Sequence, residues 1–320
     1  MRRRVVAALA VAVLLMGTAT ACTPTPIATI PSASHAPGAT VFEVGTPQVP
    51  DGVDPRYGAL LANVYAAALN AAGAKALVTA TPSAPGKLLS DVESGDADIV
   101  PVYSGLALSE VTGKDTASNA SDTLAALKAA LPAGLQLLDP TKAEDRAAIV
   151  VTAVTAEKYQ LKSLADLGKV CNKLAMGGPA GFQTGTSGLA GLGSDYNCVP
   201  KKYVALEPTL DYSPTSTLWA LLQDDIQVAD VHSSSPGIED NALVVLNDPK
   251  QLFPSQNIVP LVATDKVPAA VQDVINKVSA ALNTDELANL NRLSRDLHFG
   301  SLSDVATAWL VQMGLVKASS

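Results

Sequence analysis

The chain has 320 residues, of which 48% are hydrophobic, and its formal net charge at pH 7 is −8. This length and composition allow a sizeable buried core, in either one large domain or two smaller ones. Apart from three arginines at the N-terminus, basic residues are not clustered, which argues against nucleic acid as a partner.

Residues 1–21 are predicted to be an export signal. Arg2, Arg3 and Arg4 precede an apolar run from Val5 to Met16 that is too short for a confident transmembrane helix. The sequence Ala-Thr-Ala-Cys22 resembles a bacterial lipobox and predicts that Cys22 is acylated, although simple cleavage after an Ala-x-Ala site stays open. Residues 22–39 are rich in Thr, Pro, Ser and Ala and are expected to form a flexible tether.

The next hundred residues alternate between strand and helix patterns. Strands are predicted at 40–45, 76–80 and 135–138, and helices at 54–73, 85–94 and 122–131. In the first helix Asp54 is the expected cap, Pro55 fits the first turn and Gly73 ends it. Tyr57 and Tyr65 fall on its apolar face and are expected to be core side chains rather than ligand contacts. The loop 46–52 joins a strand to a helix N-terminus, so Gln48 is its best ligand-contact candidate.

The stretch 90–108 contains the strongest local signal for a binding site. A short helix ends at Gly95, and a buried strand of alternating aliphatic residues follows and ends at Tyr103-Ser104-Gly105. Ligands of open α/β sheets bind at the carboxyl ends of strands, so Tyr103 and Ser104 are candidate contacts. A half-buried tyrosine in an ordinary strand-to-helix turn is the alternative.

A second set of strands is predicted at 147–152, 173–176, 203–206 and 226–231, separated by short helices. A strand at 243–246 then returns the chain towards the first part, where a strand at 258–262 and three helices complete it. The alternation predicts mostly parallel sheets with helices on both faces.

Four segments carry a resemblance to a known family. They are Gly95-Asp-Ala-Asp-Ile-Val-Pro-Val-Tyr-Ser-Gly105, the stretch 156–167, Phe182-Gln-Thr-Gly-Thr-Ser-Gly-Leu-Ala-Gly-Leu192, and Leu243-Val-Val-Leu-Asn-Asp-Pro-Lys-Gln-Leu-Phe-Pro254. In this order they resemble the motifs of the glycine betaine/choline-binding proteins, which are extracytoplasmic receptors of osmoprotectant ABC importers. The resemblance covers approximately residues 41 to 315.

The resemblance implies a two-lobed α/β fold of the periplasmic-binding-protein type II kind, with a ligand cleft between the lobes. Lobe 1 is expected at 40–146 plus 248–320 and lobe 2 at 147–247, joined by a two-strand hinge. It further implies uptake of glycine betaine, choline or carnitine, no cofactor, and an ABC permease with its cytoplasmic ATPase as partner. The protein would be held at the extracytoplasmic face of the membrane through lipidated Cys22.

The expected pocket departs from the family pattern. The family encloses a quaternary ammonium with tyrosines, because the cation is attracted to ring faces, and binds the betaine carboxylate with an arginine. By motif, Tyr103 matches the first cage tyrosine, whereas Ala147, Gly185 and Gln256 stand at the positions of other cage or arginine residues. His232-Ser-Ser-Ser235 replaces Tyr-Ser-Thr-Asp.

These replacements predict a roomier, more polar pocket in which His232, Ser233 and Gln256 offer hydrogen bonds. Such a pocket favours a neutral, hydroxylated or aromatic solute stacked on Tyr103, with glycine betaine bound weakly. If His232 lines the site, binding should be pH-sensitive near 6.5.

Other function classes have less support. The sequence has no Gly-x-Ser-x-Gly elbow, phosphate loop or His-Glu-x-x-His motif, and no nucleophile can be paired with His232, so an enzyme is not expected. A scaffold or adhesive lipoprotein that has kept the fold and lost transport stays open. Cys171 and Cys198 form an even pair for an oxidising compartment and are expected to be bridged, worth roughly 3–4 kcal/mol, and no metal site is expected.

Overall fold

The structure is a computed structural model, and it describes residue 30 and the ranges 40–114, 119–207 and 215–317. The predicted export signal, the lipidation site Cys22 and nearly all of the predicted tether lie outside the described residues. At Ile30 the expectation of a free tether does not hold. This side chain is 3% exposed in the core of the first sheet, and its amide donates a hydrogen bond to the Leu315 carbonyl.

Ten strands are found in the described ranges and form two five-stranded sheets. They are β1 (Val41–Val44), β2 (Lys75–Val78), β3 (Ile99–Tyr103), β4 (Leu135–Leu137), β5 (Ala147–Val151), β6 (Ala175–Gly178), β7 (Lys202–Ala205), β8 (Val228–His232), β9 (Val244–Val245) and β10 (Ile258–Ala263).

The first sheet has the order β2-β1-β3-β10-β4, and the second has the order β7-β6-β8-β5-β9. In both sheets a parallel half is joined to an antiparallel half. β1 runs parallel to β2 and β3, while β10 runs antiparallel to β3 and β4. Similarly, β6 is parallel to β7 and β8, and β5 is antiparallel to β8 and β9. The chain therefore crosses between the sheets after β4 and again before β10, which gives two mixed α/β lobes.

The helices of the described ranges cover the faces of the sheets. They are α1 (Pro55–Ala71), α2 (Leu88–Ser94), α3 (Ser104–Thr112), α4 (Ala120–Ala130), α5 (Ala153–Tyr159), α6 (Leu164–Gly168), α7 (Ala180–Thr184), α8 (Gly191–Tyr196), α9 (Thr217–Leu222), α10 (Pro236–Asp240), α11 (Ala269–Ala281), α12 (Thr284–Leu293) and α13 (Leu302–Gln312). A 3-10 turn spans Cys171–Lys173 and a π-helical turn spans Thr186–Ala190.

Helix α1 begins and ends where its sequence signals are. The Asp54 side chain accepts a hydrogen bond from the Arg56 amide, Pro55 occupies the first turn, and Gly73 follows with a φ of 86°. Its apolar face buries Tyr57 and Tyr65, as their spacing predicts, and Tyr65 belongs to the first core. Both tyrosines are therefore structural side chains.

Several predicted boundaries differ from the structure by a few residues, and two of these differences are informative. The second helix starts at Leu88 rather than at residue 85, because Gly86 takes a φ of 76° that no right-handed helix includes. Strand β8 starts later than predicted and extends through His232, so this residue is part of the sheet rather than the loop behind it.

The second lobe contains a disulfide between Cys171 and Cys198, with 5.1 Å between their Cα atoms. It joins the turn after α6 to the end of α8, and both cysteines lie in the buried cluster of this lobe. The bridge thereby fixes the helices that carry the chain from β6 towards β7.

Candidate functional site

A cleft of about 250 Å³ lies between the two sheets and is lined by both parts of the chain. From the first lobe and the second crossing segment come Pro50, Asp51, Phe253, Pro254 and Gln256. The second lobe contributes the rest of the lining, at the start of β5, the end of β8 and the segment after β6. Because β6 and β8 are parallel, their carboxyl ends meet at this edge of the sheet, where ligand sites of α/β folds form.

The wall after β6 consists largely of glycine and small residues from position 181 to 188. A Cβ atom on Gly188 would lie 1.8 Å from the Phe182 carbonyl oxygen, so only glycine allows the backbone to fold back here. A Cβ atom on Gly181 would lie 1.7 Å from an Asp51 carboxylate oxygen, so this glycine lets the Asp51 loop contact the second lobe.

Two of the replaced family positions lie on the cleft wall. Ala147 and Gly185 both line it, and neither has a side chain that could reach a solute by hydrogen bonding. Among the residues that the structure describes, the cleft lining includes no lysine or arginine. A solute carboxylate would thus find no cationic side chain in the place where the family uses arginine.

His232 lies at the edge of the cleft and is 7% exposed. Its Nε2 lies 2.9 Å from the Asp51 carbonyl oxygen, and its Nδ1 lies 3.3 Å from the Asp145 carbonyl oxygen and 3.4 Å from Asp145 Oδ1. Burial by itself lowers the pKa of this imidazole, but the Asp145 carboxylate, with smaller contributions from Asp230 and the Asp51 carbonyl, outweighs it and raises the pKa to about 9. The ring is therefore charged at neutral pH, so we expect any pH sensitivity that arises from it above pH 6.5 rather than near it.

Asp230 lies two residues earlier on β8 and lines the same cleft. The residue is 4% exposed, and its Oδ1 has no hydrogen-bond partner among the described residues. Burial raises the pKa of its carboxyl to about 8, against a lowering by the nearby His232 charge. At neutral pH Asp230 thus mostly keeps its proton, so it can donate as well as accept a hydrogen bond.

Aromatic side chains reach the cleft from the second lobe and the second crossing segment. Phe182 and Phe253 both line it, with their ring centroids 6.1 Å apart at an interplanar angle of 39°. Phe182 also stacks on Tyr203 at 6.2 Å. These rings supply an apolar wall, and sequence reasoning did not select them although both lie inside the family-like segments.

Tyr103 does not line this cleft. Its ring is 1% exposed, its hydroxyl has no partner among the described residues, and burial raises its pKa well above the ordinary value. It lies instead beside a separate space of about 10 Å³, together with Gln48, whose amide donates to the Ser83 carbonyl. The proposed stacking of a solute on Tyr103, and a solute contact by Gln48, have no support in this arrangement because both side chains are packed within the first lobe.

Two of the predicted serines hold the backbone rather than line the cleft. Ser104 Oγ accepts a hydrogen bond from the Asn257 amide and lies 3.5 Å from the Ser255 carbonyl. Ser233 Oγ donates to the Glu144 carbonyl and accepts from the Arg146 amide. Both therefore fix the segments that cross between the lobes.

Gln256 does line the cleft. Its Oε1 accepts a hydrogen bond from the Leu106 amide in the first turn of α3. Of the six predicted ligand-contact residues, the structure thus brings His232 and Gln256 together in the cleft, and it does not bring Gln48, Tyr103, Ser104 or Ser233 there. Asp230 was missed, although strand alternation from His232 points to it.

The described ranges contain neither a candidate metal site nor a candidate membrane-spanning helix. In those ranges no group of three or more His, Cys, Asp or Glu side chains is placed to hold a metal ion. Within the same part of the chain, no helix has both the length and the apolar character needed to cross a bilayer.

Two α/β lobes with a lined cleft between them define a periplasmic-type substrate-binding protein. The family model described as the substrate-binding domain of ABC-type glycine betaine transport systems matches residues 56–312. The chain belongs to this family, whose members are binding components of osmoprotectant ABC importers and not enzymes.

Individual relatives are distant. The carnitine transport binding protein OpuCC of Listeria monocytogenes is 26% identical over 205 residues, which cover 62% of this chain and 64% of that protein. The match thus spans less than two thirds of this relative's length.

Two solved structures share the fold. A crystal structure of a glycine betaine/carnitine/choline ABC transporter protein superposes with a TM-score of 0.74 at 18% identity, covering 86% of this chain and 99% of the other. Apo YehZ from Escherichia coli gives a TM-score of 0.67 at 22% identity, covering 87% of this chain and 100% of the other.

Proposed function

We propose that the protein captures a small osmoprotectant of the glycine betaine, choline and carnitine class and presents it to an ABC permease driven by a cytoplasmic ATPase. The observation that carries the proposal is a cleft lined by residues of both lobes, from Asp51 on one side to Asp230 on the other. Solute bound there would contact both lobes at once, which is how a two-lobed receptor couples ligand binding to closure. The name of the carnitine-binding relative supports the solute class.

The domain limits and the anchor belong to the same proposal. The first lobe would consist of 40–146 plus 248–320 and the second of 147–247, in line with the membership of the strands in the two sheets. Acylation of Cys22 would hold the protein at the extracytoplasmic face of the cell membrane. Replacing Cys22 with alanine should then release it from the membrane fraction and leave solute binding by the purified protein unchanged.

A second candidate solute class has a specific observation in its favour. Ala147 and Gly185 leave the cleft wall without the ring and the guanidinium that the family uses, and Tyr103 is packed outside the cleft. A neutral, hydroxylated or aromatic solute would not need either group. The transport role would be the same.

Titration calorimetry on the purified mature protein tests the proposal. The panel consists of glycine betaine, choline, carnitine, polyols and small aromatic solutes. Saturable binding of a quaternary ammonium solute, with loss of its uptake in a strain that lacks the gene, would support the first class. Binding of a polyol or aromatic solute alone would support the second, and unchanged uptake of every solute would favour a scaffold role.

A further inference from the structure

Among the described residues that line the cleft, Asp230 has a buried side-chain oxygen without a hydrogen-bond partner. It lies on the central strand β8, and burial removes it from bulk water while Oδ1 finds no partner among the described residues. Buried polar atoms in proteins are nearly always hydrogen-bonded, since an unpaired one has lost its water without gaining another partner. Asp230 is part of the cleft lining, so a solute in the cleft would lie beside this residue.

The charges around Asp230 limit what such a solute can carry. The imidazolium of His232 is already engaged by Asp145 and by the Asp51 carbonyl, so it is not free to pair with a solute anion. Asp51 is the other acidic residue of the lining, and the described part of the lining has no lysine or arginine. A solute carboxylate would therefore meet the acidic side chain of Asp51, with no lysine or arginine in the described lining to pair with it.

The remaining wall is apolar. Phe182 and Phe253, together with Pro50, Pro179 and Pro254, face the cleft and suit methyl and methylene groups. A solute that fits this wall and Asp230 has a compact apolar body and one hydrogen-bond donor.

We propose that Asp230 is a ligand-binding residue, that it pairs with a hydroxyl or N–H group of the solute, and that the preferred solute has no carboxylate. This inference rests on the proposed solute-binding function and narrows the ligand within it. A protonated carboxyl can accept from such a group and also donate, so a hydroxyl satisfies Asp230 in both directions.

Four solutes that share a trimethylammonium group separate the effect of a hydroxyl from the effect of a carboxylate. Choline has a hydroxyl and no carboxylate, carnitine has both, glycine betaine has only the carboxylate, and ethyltrimethylammonium has neither. Calorimetry at pH 7 should show choline bound most tightly. Loss of the hydroxyl should weaken binding about tenfold, since a hydrogen bond to such a group is worth about 1.5 kcal/mol, and adding the carboxylate should weaken it by about tenfold or more.

Variants then locate the preference at Asp230. In Asp230→Ala, choline and ethyltrimethylammonium should bind within about threefold of each other, and Asp230→Asn should keep part of the difference because its amide can still accept. The charge-matched control Asp225→Ala removes an exposed carboxylate outside the cleft and should leave the preference intact. Melting curves for each variant confirm that the protein is folded.

The outcomes separate this inference from the proposed function. If glycine betaine or carnitine binds most tightly and Asp230→Ala changes nothing, the inference is wrong while the transport class stands. If no quaternary ammonium solute binds but a polyol or amine does so in an Asp230-dependent way, the inference stands and the solute class is wrong. No binding across the whole panel would overturn both.

Discussion

The central strands of the two sheets, β3 and β8, end in different surroundings: the end of β3 is covered, whereas the end of β8 borders the cleft. β3 in the first sheet ends at Tyr103 and β8 in the second ends at His232. The end of β3 is covered: the Ser104 amide donates to the Asn257 carbonyl, and Gln256 accepts from the first turn of α3. At the end of β8 the neighbouring residues are small, with Ala147 opposite His232, so side chains of β8 line the cleft.

This difference shows that a motif can mark a fold without marking the binding surface. Tyr103 lies in the segment with the clearest family resemblance, yet it is packed into the first lobe. Asp230 lies outside all four resembling segments, yet it lines the cleft and its Oδ1 has no hydrogen-bond partner in the described ranges. The two strand ends therefore predict opposite responses to substitution.

The largest expected effect is at the residue that holds the end of β8. Replacing Asp145 with alanine removes the carboxylate beside His232. The same carboxylate accepts a 2.7 Å hydrogen bond from Ser234 Oγ. Leaving a buried charge without its partner should lower the free energy of unfolding by about 3–5 kcal/mol. Urea denaturation measures this, with exposed Asp225→Ala as a control that should change it by less than about 0.5 kcal/mol. A loss below about 1 kcal/mol for Asp145→Ala would show that the pair does not fix this strand end.

Stability should fall as pH rises from about 6.5 to 9. The folded pKa of His232, about 9, lies above its unfolded value, so its contribution is fully present below pH 6.5 and is lost as pH rises through 9. The folded pKa of Asp230, about 8, is also raised above its unfolded value. Between about pH 4 and 8 the folded protein keeps a proton that the unfolded chain has released, so stability declines as pH rises through this range.

Both residues make stability fall as pH rises, and their effects add between pH 6.5 and 8, where the two pH ranges overlap. Each unit of pKa difference corresponds to about 1.4 kcal/mol, so a loss of a few kcal/mol is expected. Denaturation at a series of pH values checks it, and Asp230→Asn should reduce the slope. Stability that rises over this interval would contradict the protonation states assigned to both residues.

A smaller effect is expected from the glycine-rich wall of the second lobe. Gly188→Ala forces a Cβ atom against the Phe182 backbone and should cost about 1–3 kcal/mol of stability. The matched control is Gly193→Ala in α8, where a Cβ atom meets nothing within 4 Å and alanine is the better helix former. Thermal melts compare the two variants. Equal melting temperatures would mean that the backbone around Gly188 can shift to accept a Cβ atom at little cost.

The smallest effect is expected at the end of β3. Tyr103→Phe removes a buried hydroxyl that has no partner among the described residues. Stability should stay unchanged or rise by up to about 1 kcal/mol, because the desolvation cost of the hydroxyl disappears. A decrease of more than about 1 kcal/mol in the same denaturation assay would reveal a hydrogen bond that this packing does not contain.

Much of the architecture could be predicted from the sequence because its signals are local. Asp54, Pro55 and Gly73 set the limits of α1, and the spacing of Tyr57 and Tyr65 indicates their burial. The pairing of Cys171 with Cys198 follows from their number and compartment, and the structure contains this bridge.

The site was less predictable because it depends on contacts between distant parts of the chain. Ser233 and Gln48 are polar residues in plausible loops, but their hydrogen bonds go to backbone carbonyls nearby in space. The pKa of His232 is raised mainly by Asp145, which lies 87 residues earlier in the chain and whose proximity no sequence pattern indicates. For Asp230 a signal existed, since it shares a face of β8 with His232.

A crystal structure of the solute-loaded protein would show whether Asp230 or Tyr103 contacts the solute. We expect a solute that lies against the rings of Phe182 and Phe253, with a hydroxyl or N–H donor within about 3.2 Å of the Asp230 carboxyl and no contact with Tyr103. A solute that instead lies against the ring of Tyr103, with the carboxyl of Asp230 out of reach, would contradict this expectation.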